Sequence, residues 1–271
     1  MHLTLGILRK SQAVSYAFSF FQLDGFAVPT PAQVTQTVGQ ALAKLAYIKM
    51  TSIEQLSPEE FFEYYFIIER PLDSLEFESE YLPFEYLEFA RQDLETGEDT
   101  RNTINAVGNA KRALHLQVET ICDGYGYKAK SKDFPPKLIF LREIGVVAPK
   151  VLERLNKIRN RIEHDYYCPT IEEANDFIDV VELFLYATLN FVTVFPNESI
   201  FIIGDGSNEY KVHEETGLPI HVKVCLEKNT GNFSICNHDE NNKLVLSVQM
   251  GQEKYFEWIR KLFAHLFFLP L

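Results

Sequence analysis

The chain has 271 residues, 46% hydrophobic and 24% charged, which suits one large domain or two smaller ones and excludes a disordered or collagen-like chain. Its 26 Lys+Arg stand against 38 Asp+Glu, a net charge of -12, so a protein that coats nucleic acid through overall charge is excluded and any such contact has to be local. The cysteines at 122, 168, 225 and 236 form no CxxC pair and no zinc spacing. They read as reduced thiols of a cytoplasmic protein, and the start MHLTLGILRKSQ lacks the basic-then-apolar order of a signal peptide.

In chain order, residues 1–75 read as a mostly helical region rich in aromatics. The segment Ala13 to Phe26 fits strand or helix, and Thr30-Pro31 opens a helix running towards Ile48. Ser57-Pro58-Glu59-Glu60 opens another with a cap, a first-turn proline and early acids, and Arg70-Pro71 closes it. Residues 76–196 form a helical bundle with four helical patterns. The first spans Phe84 to Glu95. The second, from Arg101 to Asp123, carries a stripe of Ile104, Val107, Ala110, Leu114, Val118 and Ile121 and stops at Gly124. A third runs from Pro149 to Tyr166, and the fourth opens at Thr170, with Glu173 at capping-box spacing, and stops at Pro196. Phe177 to Phe195 is close to a membrane span in length, but Asp179, Glu182 and Asn190 make it a core helix, so no membrane partner is expected.

After Pro196 the period changes to two, predicting strands at Ser199–Ile203, Ile220–Glu227, Asn232–Cys236 and Lys243–Val248 in residues 197–271. The turn Asn229-Thr230-Gly231-Asn232 signals a hairpin, and a loop centred between 230 and 231 places Cys225 opposite Cys236, both as thiols. A last helix, Gln252 to Phe267, is apolar on more than one face and is expected to pack on the sheet. The fold class is therefore α+β, mainly α: an up-and-down bundle with a helical N-terminal region, a small C-terminal antiparallel sheet and a terminal helix.

Charge is unevenly spread. Asn109 to Arg161 holds 12 Lys/Arg and 5 Asp/Glu, whereas Glu69 to Asp99 holds 11 acids and 2 arginines. The acidic stretch reads as a solvated helix face or as a flap over the basic island. Within that island, Val151, Leu155, Ile158 and Ile162 make a buried stripe on one helix, which leaves Asn160 and His164 facing outward and Arg159 at the stripe's edge. An imidazole can move a proton to or from a 2'-hydroxyl or a leaving 5'-oxygen near neutral pH, and a guanidinium can stabilise a phosphorane, so Arg plus His suffices for RNA cleavage without a metal or cofactor. One chain supplies one such histidine, and a symmetric homodimer supplies acid and base together. The same residues also suit an ordinary exposed Arg159–Glu163 pair and a histidine at a helix end.

The stretch RNRIEH, Arg159 to His164, resembles the R-x4-6-H motif of the HEPN superfamily (higher eukaryotes and prokaryotes nucleotide-binding), in the form with Asn after Arg. NAKRALHLQVETICDGYG, Asn109 to Gly126, and IEEANDFIDVVELFLYAT, from Ile171, are similar to neighbouring helices of some members. The resemblance covers Pro83 to Phe195, with additional regions on both sides. It implies a metal-independent endoribonuclease of a toxin-antitoxin or antiphage defence system, with Arg159 and His164 catalytic and Asn160 supporting. His164-Asp165-Tyr166 completes R-x4-H-x-Y, the form in which a partner nucleotidyltransferase attaches AMP to the tyrosine, so Tyr166 is a candidate modification site; it equally suits a wedge of Tyr166 and Tyr167 against the bundle. Lys157, Arg161, Lys111 and Arg112 are candidates for the RNA-facing surface, or else part of a solvated face. A non-catalytic dimerisation or binding module is the rival reading, consistent with the net acidity. His213, His221 and His238 lack a ligating neighbour at metal spacing.

Overall fold

The computed structural model describes residues 52–69, 73–97, 99–127, 134–146, 157, 168–204 and 209–268. All lie in a compact unit, Thr51–Leu271. The readings for Ala13 to Phe26, for Thr30 to Ile48 and for the helix from Pro149 to Tyr166 fall outside the described residues, apart from Lys157. Within them the chain is α+β and mainly helical, with one antiparallel sheet.

Helix α1 covers Pro58–Tyr64. Ser57 Oγ accepts from Glu60 N at 3.2 Å and Glu60 Oε2 accepts from Ser57 N at 2.8 Å, a reciprocal cap. The expected continuation to Arg70 is wrong. Tyr65-Phe66-Ile67-Ile68 is aromatic and β-branched, and it leaves the helix to form strand β1, Tyr65–Glu69, paired with Tyr65 opposite Ile203 and Ile67 opposite Phe201.

Three long helices follow the bundle reading: α2, Pro83–Thr96; α3, Thr100–Gly124; and, later in the chain, α5, Ile171–Thr193. Each packs on the other two. Asp99 caps α3 through Asn102 N at 2.9 Å, and Thr170 and Glu173 form the expected reciprocal cap of α5 at 3.2 and 3.0 Å. The buried stripe of α3 starts at Thr103 and runs through Ala106, Val107, Ala110, Ala113, Leu114, Gln117, Val118 and Ile121. Ile104, expected in the stripe, is 48% exposed, because one position C-terminal to Thr103 turns the side chain about 100 degrees off that face. Between α3 and α5 the sequence reading left out helix α4, Phe134–Glu143, whose Pro135-Pro136 occupies the first turn, where the missing N–H groups cost nothing. Among the described residues no helix is long and apolar enough to cross a membrane.

The sheet is a meander, β1-β2-β3-β4-β5, with β2 Glu198–Ile203, β3 His221–Leu226, β4 Phe233–Asn237 and β5 Lys243–Val248. A short helix, α6 (Glu209–Thr216), lies between β2 and β3 and was not foreseen. The β3–β4 register differs from expectation: Cys225 faces Ser234 and Cys236 faces Lys223, so the thiols are diagonal neighbours and free. The turn residues Asn229 and Gly231 both take positive φ, and Glu227 N bonds Asn232 O at 2.9 Å, which places the turn's centre one residue earlier. The alternating Phe201, Ile203, Val222, Val224, Leu226, Phe233 and Ile235 form one buried face. Helix α7, Tyr255–Phe263, and its π-turn, Ala264–Phe268, cover it together with α1, as expected of the terminal helix. Trp258 stacks on Phe233 with ring centroids 5.3 Å apart and meets Phe61 edge-on at 5.4 Å.

The junctions between helices and sheet are bonded through backbone. Leu75 N reaches Val192 O at 2.8 Å and Phe195 N reaches Asp73 O at 2.7 Å. At the end of α3, Tyr125 Oη donates to Phe191 O at 3.0 Å, and Asn229 N bonds Gly124 O at 2.8 Å. Gly126, at φ +84°, sits so close to the β3–β4 turn that a Cβ would fall 2.2 Å from the Thr230 carbonyl, so only glycine fits.

Candidate functional site

Arg159, Asn160, Arg161, His164 and Tyr166 lie outside the described residues. Of the surrounding candidates, Lys157 is helical and exposed. Lys111 is half-buried on α3, and the exposed Arg112 donates from Nη1 to Asn109 Oδ1 at 2.6 Å while Asn109 Nδ2 donates to Asp93 Oδ2 at 2.8 Å. That chain of bonds ties the Arg112 guanidinium to α2 through Asn109 and fixes its direction on the helix surface. Nearby, the His115 ring lies flat on Phe134 at 4.3 Å, which joins α3 to α4.

Most cations of the basic island, and with them the flap reading, lie outside the described residues. Within them, Glu76 and Glu78 line a cavity together with other acids. The segment after Asp73, the C-terminal half of α3 and the β3–β4 turn surround this cavity of about 390 Å³. α3 contributes Leu116, Glu119, Thr120 and Asp123, spaced i, i+3, i+4 and i+7 and so on one face. Leu75 supplies an apolar wall, and Lys228 enters from the turn.

Lys228, which lines this cavity, and Lys137, which pairs with its wall residue Glu119, are both engaged. Lys137, 8% exposed, bonds Glu119 Oε1 at 2.6 Å. Lys228 reaches Asp73 Oδ1 at 3.0 Å and Ser74 O at 2.8 Å, and that bond holds the Asp73 carboxyl below its usual range. Asp123 is pushed the other way: burial raises its pKa, Lys137 opposes the shift, and Glu119 and Glu78 reinforce it. Thr120 is 9% exposed, and its hydroxyl has no hydrogen-bond partner among the described residues, although it lines the cavity.

One pair that sequence spacing missed lies at the end of the sheet. Asp239 accepts from His221 N and contacts His221 Nδ1, both at 2.9 Å, while the His238 ring contacts Asn242 Oδ1 at 3.0 Å. Burial alone would raise the Asp239 carboxyl, but its bonds to His221 and the charges of His221 and His238 leave it below the ordinary range. The partners are eighteen positions apart and meet only because β3 and β4 pair, with His238 N bonding His221 O. Among the described residues no group of three His, Cys, Asp or Glu is placed to hold a metal ion. Comparison with protein-family models, curated proteins and solved structures finds no match.

Proposed function

We propose that the chain is a metal-independent endoribonuclease of HEPN type, acting as a homodimer in a toxin-antitoxin or antiphage defence setting. The observation that carries this reading is the Arg159-Asn160-x3-His164 spacing, set in a locally basic segment of an acidic chain. Three long mutually packed helices on either side of that segment in the chain support it. In the proposed mechanism the His164 imidazole of one copy takes the 2'-hydroxyl proton, and that of the other protonates the leaving 5'-oxygen. Arg159 stabilises the charge of the phosphorane, and Asn160 orients the phosphate. Lys157, Arg161, Lys111 and Arg112 hold the RNA backbone, which makes the contact salt-sensitive. Attachment of AMP to Tyr166 by a nucleotidyltransferase would add bulk and negative charge beside the histidine and block RNA entry.

The test is cleavage of single-stranded RNA by the purified chain with a chelator present. His164→Ala is expected to lower the rate by about 10²-fold or more while leaving the folded spectrum unchanged. Equal cleavage by the variant, or none by the parent, overturns the assignment.

A second reading, a non-catalytic dimerisation or binding module, draws on a different observation. Leu183 and Tyr186 on α5 are each 61% exposed and put apolar surface on the outside of the bundle. Under this reading Arg159→Ala leaves binding of the partner unchanged, and RNA does not compete for it.

A further inference from the structure

One face of the sheet is covered by α1 and α7, and the alternate residues of each strand point the other way. On the outward side of an antiparallel sheet such positions are ordinarily polar. Here they include Phe66 opposite Ile202, then Ile200, Cys225 and Cys236, with Leu244 opposite Cys236 on the far edge. Phe66 is 41% exposed and Leu244 59%, so apolar surface is open at both margins. Charge on this face is sparse: Glu69 at the β1 margin, and Lys223 and Glu198, which meet at 3.3 Å.

Charge and shape together favour one occupant, a second copy of the chain. The whole molecule carries -12, so two copies repel over most of their surface, whereas this face sets two carboxylates against one ammonium. A basic partner would gain more from the acidic stretch between Glu69 and Asp99. The β1–β2 half bears the large Phe66, Ile200 and Ile202; the β4–β5 half bears the small Ser234, Cys236 and Ser247 beside a single large Leu244. A two-fold axis parallel to the strands turns the large half of one copy over the small half of the other, which lets the two sheets interdigitate about 10 Å apart. Five strands roughly 4.8 Å apart and about 17–20 Å long present about 400–480 Å² per copy. Both copies together come close to the lower limit of a specific interface, which fits a reversible dimer and not an obligate one.

We propose that two copies of the chain pack face to face through the outer surface of the sheet, with the two-fold axis along β3. That geometry sets β3 against its counterpart, so the Cys225 thiols of the two copies meet near the axis, and Ile200 of one copy lies over Cys236 of the other. Lys223 also nears its counterpart, and Glu198 in each copy neutralises it. The surface is distinct from the helical bundle proposed to form the catalytic dimer, and both interfaces together would give a tetramer.

The experiment is sedimentation equilibrium of the full chain from about 1 to 200 μM, where a doubling of mass with a midpoint in the micromolar range is expected. Ile200→Lys places an unpaired charge in the interface and should weaken the doubling at least about tenfold. Ser234→Arg, at a polar position of the same face, should do the same and serves if Ile200→Lys fails to fold. In a Cys168→Ser background, which removes the exposed thiol, copper–phenanthroline oxidation should join two copies through Cys225. The covalent dimer should vanish with Cys225→Ser and persist with Ile139→Lys, a charge added on exposed α4. A mass fixed at one chain overturns the proposal, and so does a mass fixed at two, which leaves the catalytic dimer standing. It is equally overturned if both face variants leave the doubling intact, or if the covalent dimer forms as well without Cys225.

Discussion

The bundle and the sheet reach dry interiors by opposite means. Around the sheet the core is built of large rings, with Phe61, Phe201, Phe233 and Trp258 almost wholly enclosed and linked by ring contacts. Along α3 the buried positions include no aromatic ring, and small or polar residues, Ala106, Ala110 and Ala113 with Thr103, Gln117 and Thr120, alternate with the aliphatic Val107, Leu114, Val118 and Ile121. Gln117 Nε2 donates to Thr188 Oγ1 at 3.1 Å, and that hydroxyl in turn donates to Phe184 O at 2.8 Å, so a buried polar pair fixes the registration of α3 on α5. Small residues let helix axes approach closely and tolerate little added volume; rings fill a wide gap and tolerate little removal.

That contrast can be broken most directly at Trp258. Trp258→Ala should destabilise the chain by about 3–5 kcal/mol, read from the urea midpoint, since the cavity is walled by Phe61 and Phe233 and cannot collapse. A loss below about 1 kcal/mol would show the rings to be loosely packed. In the bundle the revealing change adds volume: Ala110→Leu should cost about 1–3 kcal/mol by forcing the helices apart, and a neutral or stabilising result would reveal empty space beside α3. The smallest effect concerns the polar rim of the sheet. Asp239 has a depressed carboxyl pKa, so its contribution is full above the unfolded carboxylate pKa and is lost as pH falls through the lower folded value. Asp239→Asn should therefore flatten part of the acid limb of the stability curve, by less than about 1 kcal/mol for so exposed a pair; an unchanged acid limb would show that His221 holds nothing there.

Much of this fold is legible in the sequence where one physical signal dominates. Period-two patterning and turn signals mark β2 to β5 within a residue or two, and the Ser57/Glu60 and Thr170/Glu173 caps lie where spacing puts them. Legibility fails where two signals conflict or where partners are remote. Tyr64 to Ile68 satisfies helix and strand alike, and only pairing with β2 decides it. Pro135-Pro136 looks like a connection because the same residues that break a helix interior can begin one. The candidate catalytic residues are readable from their spacing on one short segment. The acidic cavity is not, because Glu78, Asp123 and Lys228 belong to separate stretches that only the folded backbone brings together.

The pairing of β1 with β2 has a consequence for biosynthesis. Glu69 meets Ile200, so the first strand emerges from the ribosome long before its neighbour exists, and the whole set of long helices has to be made in between. Sheet closure is then a late, non-local event, and the Tyr65 ring, wholly enclosed in the finished fold, lacks its sheet neighbours until translation has passed β2.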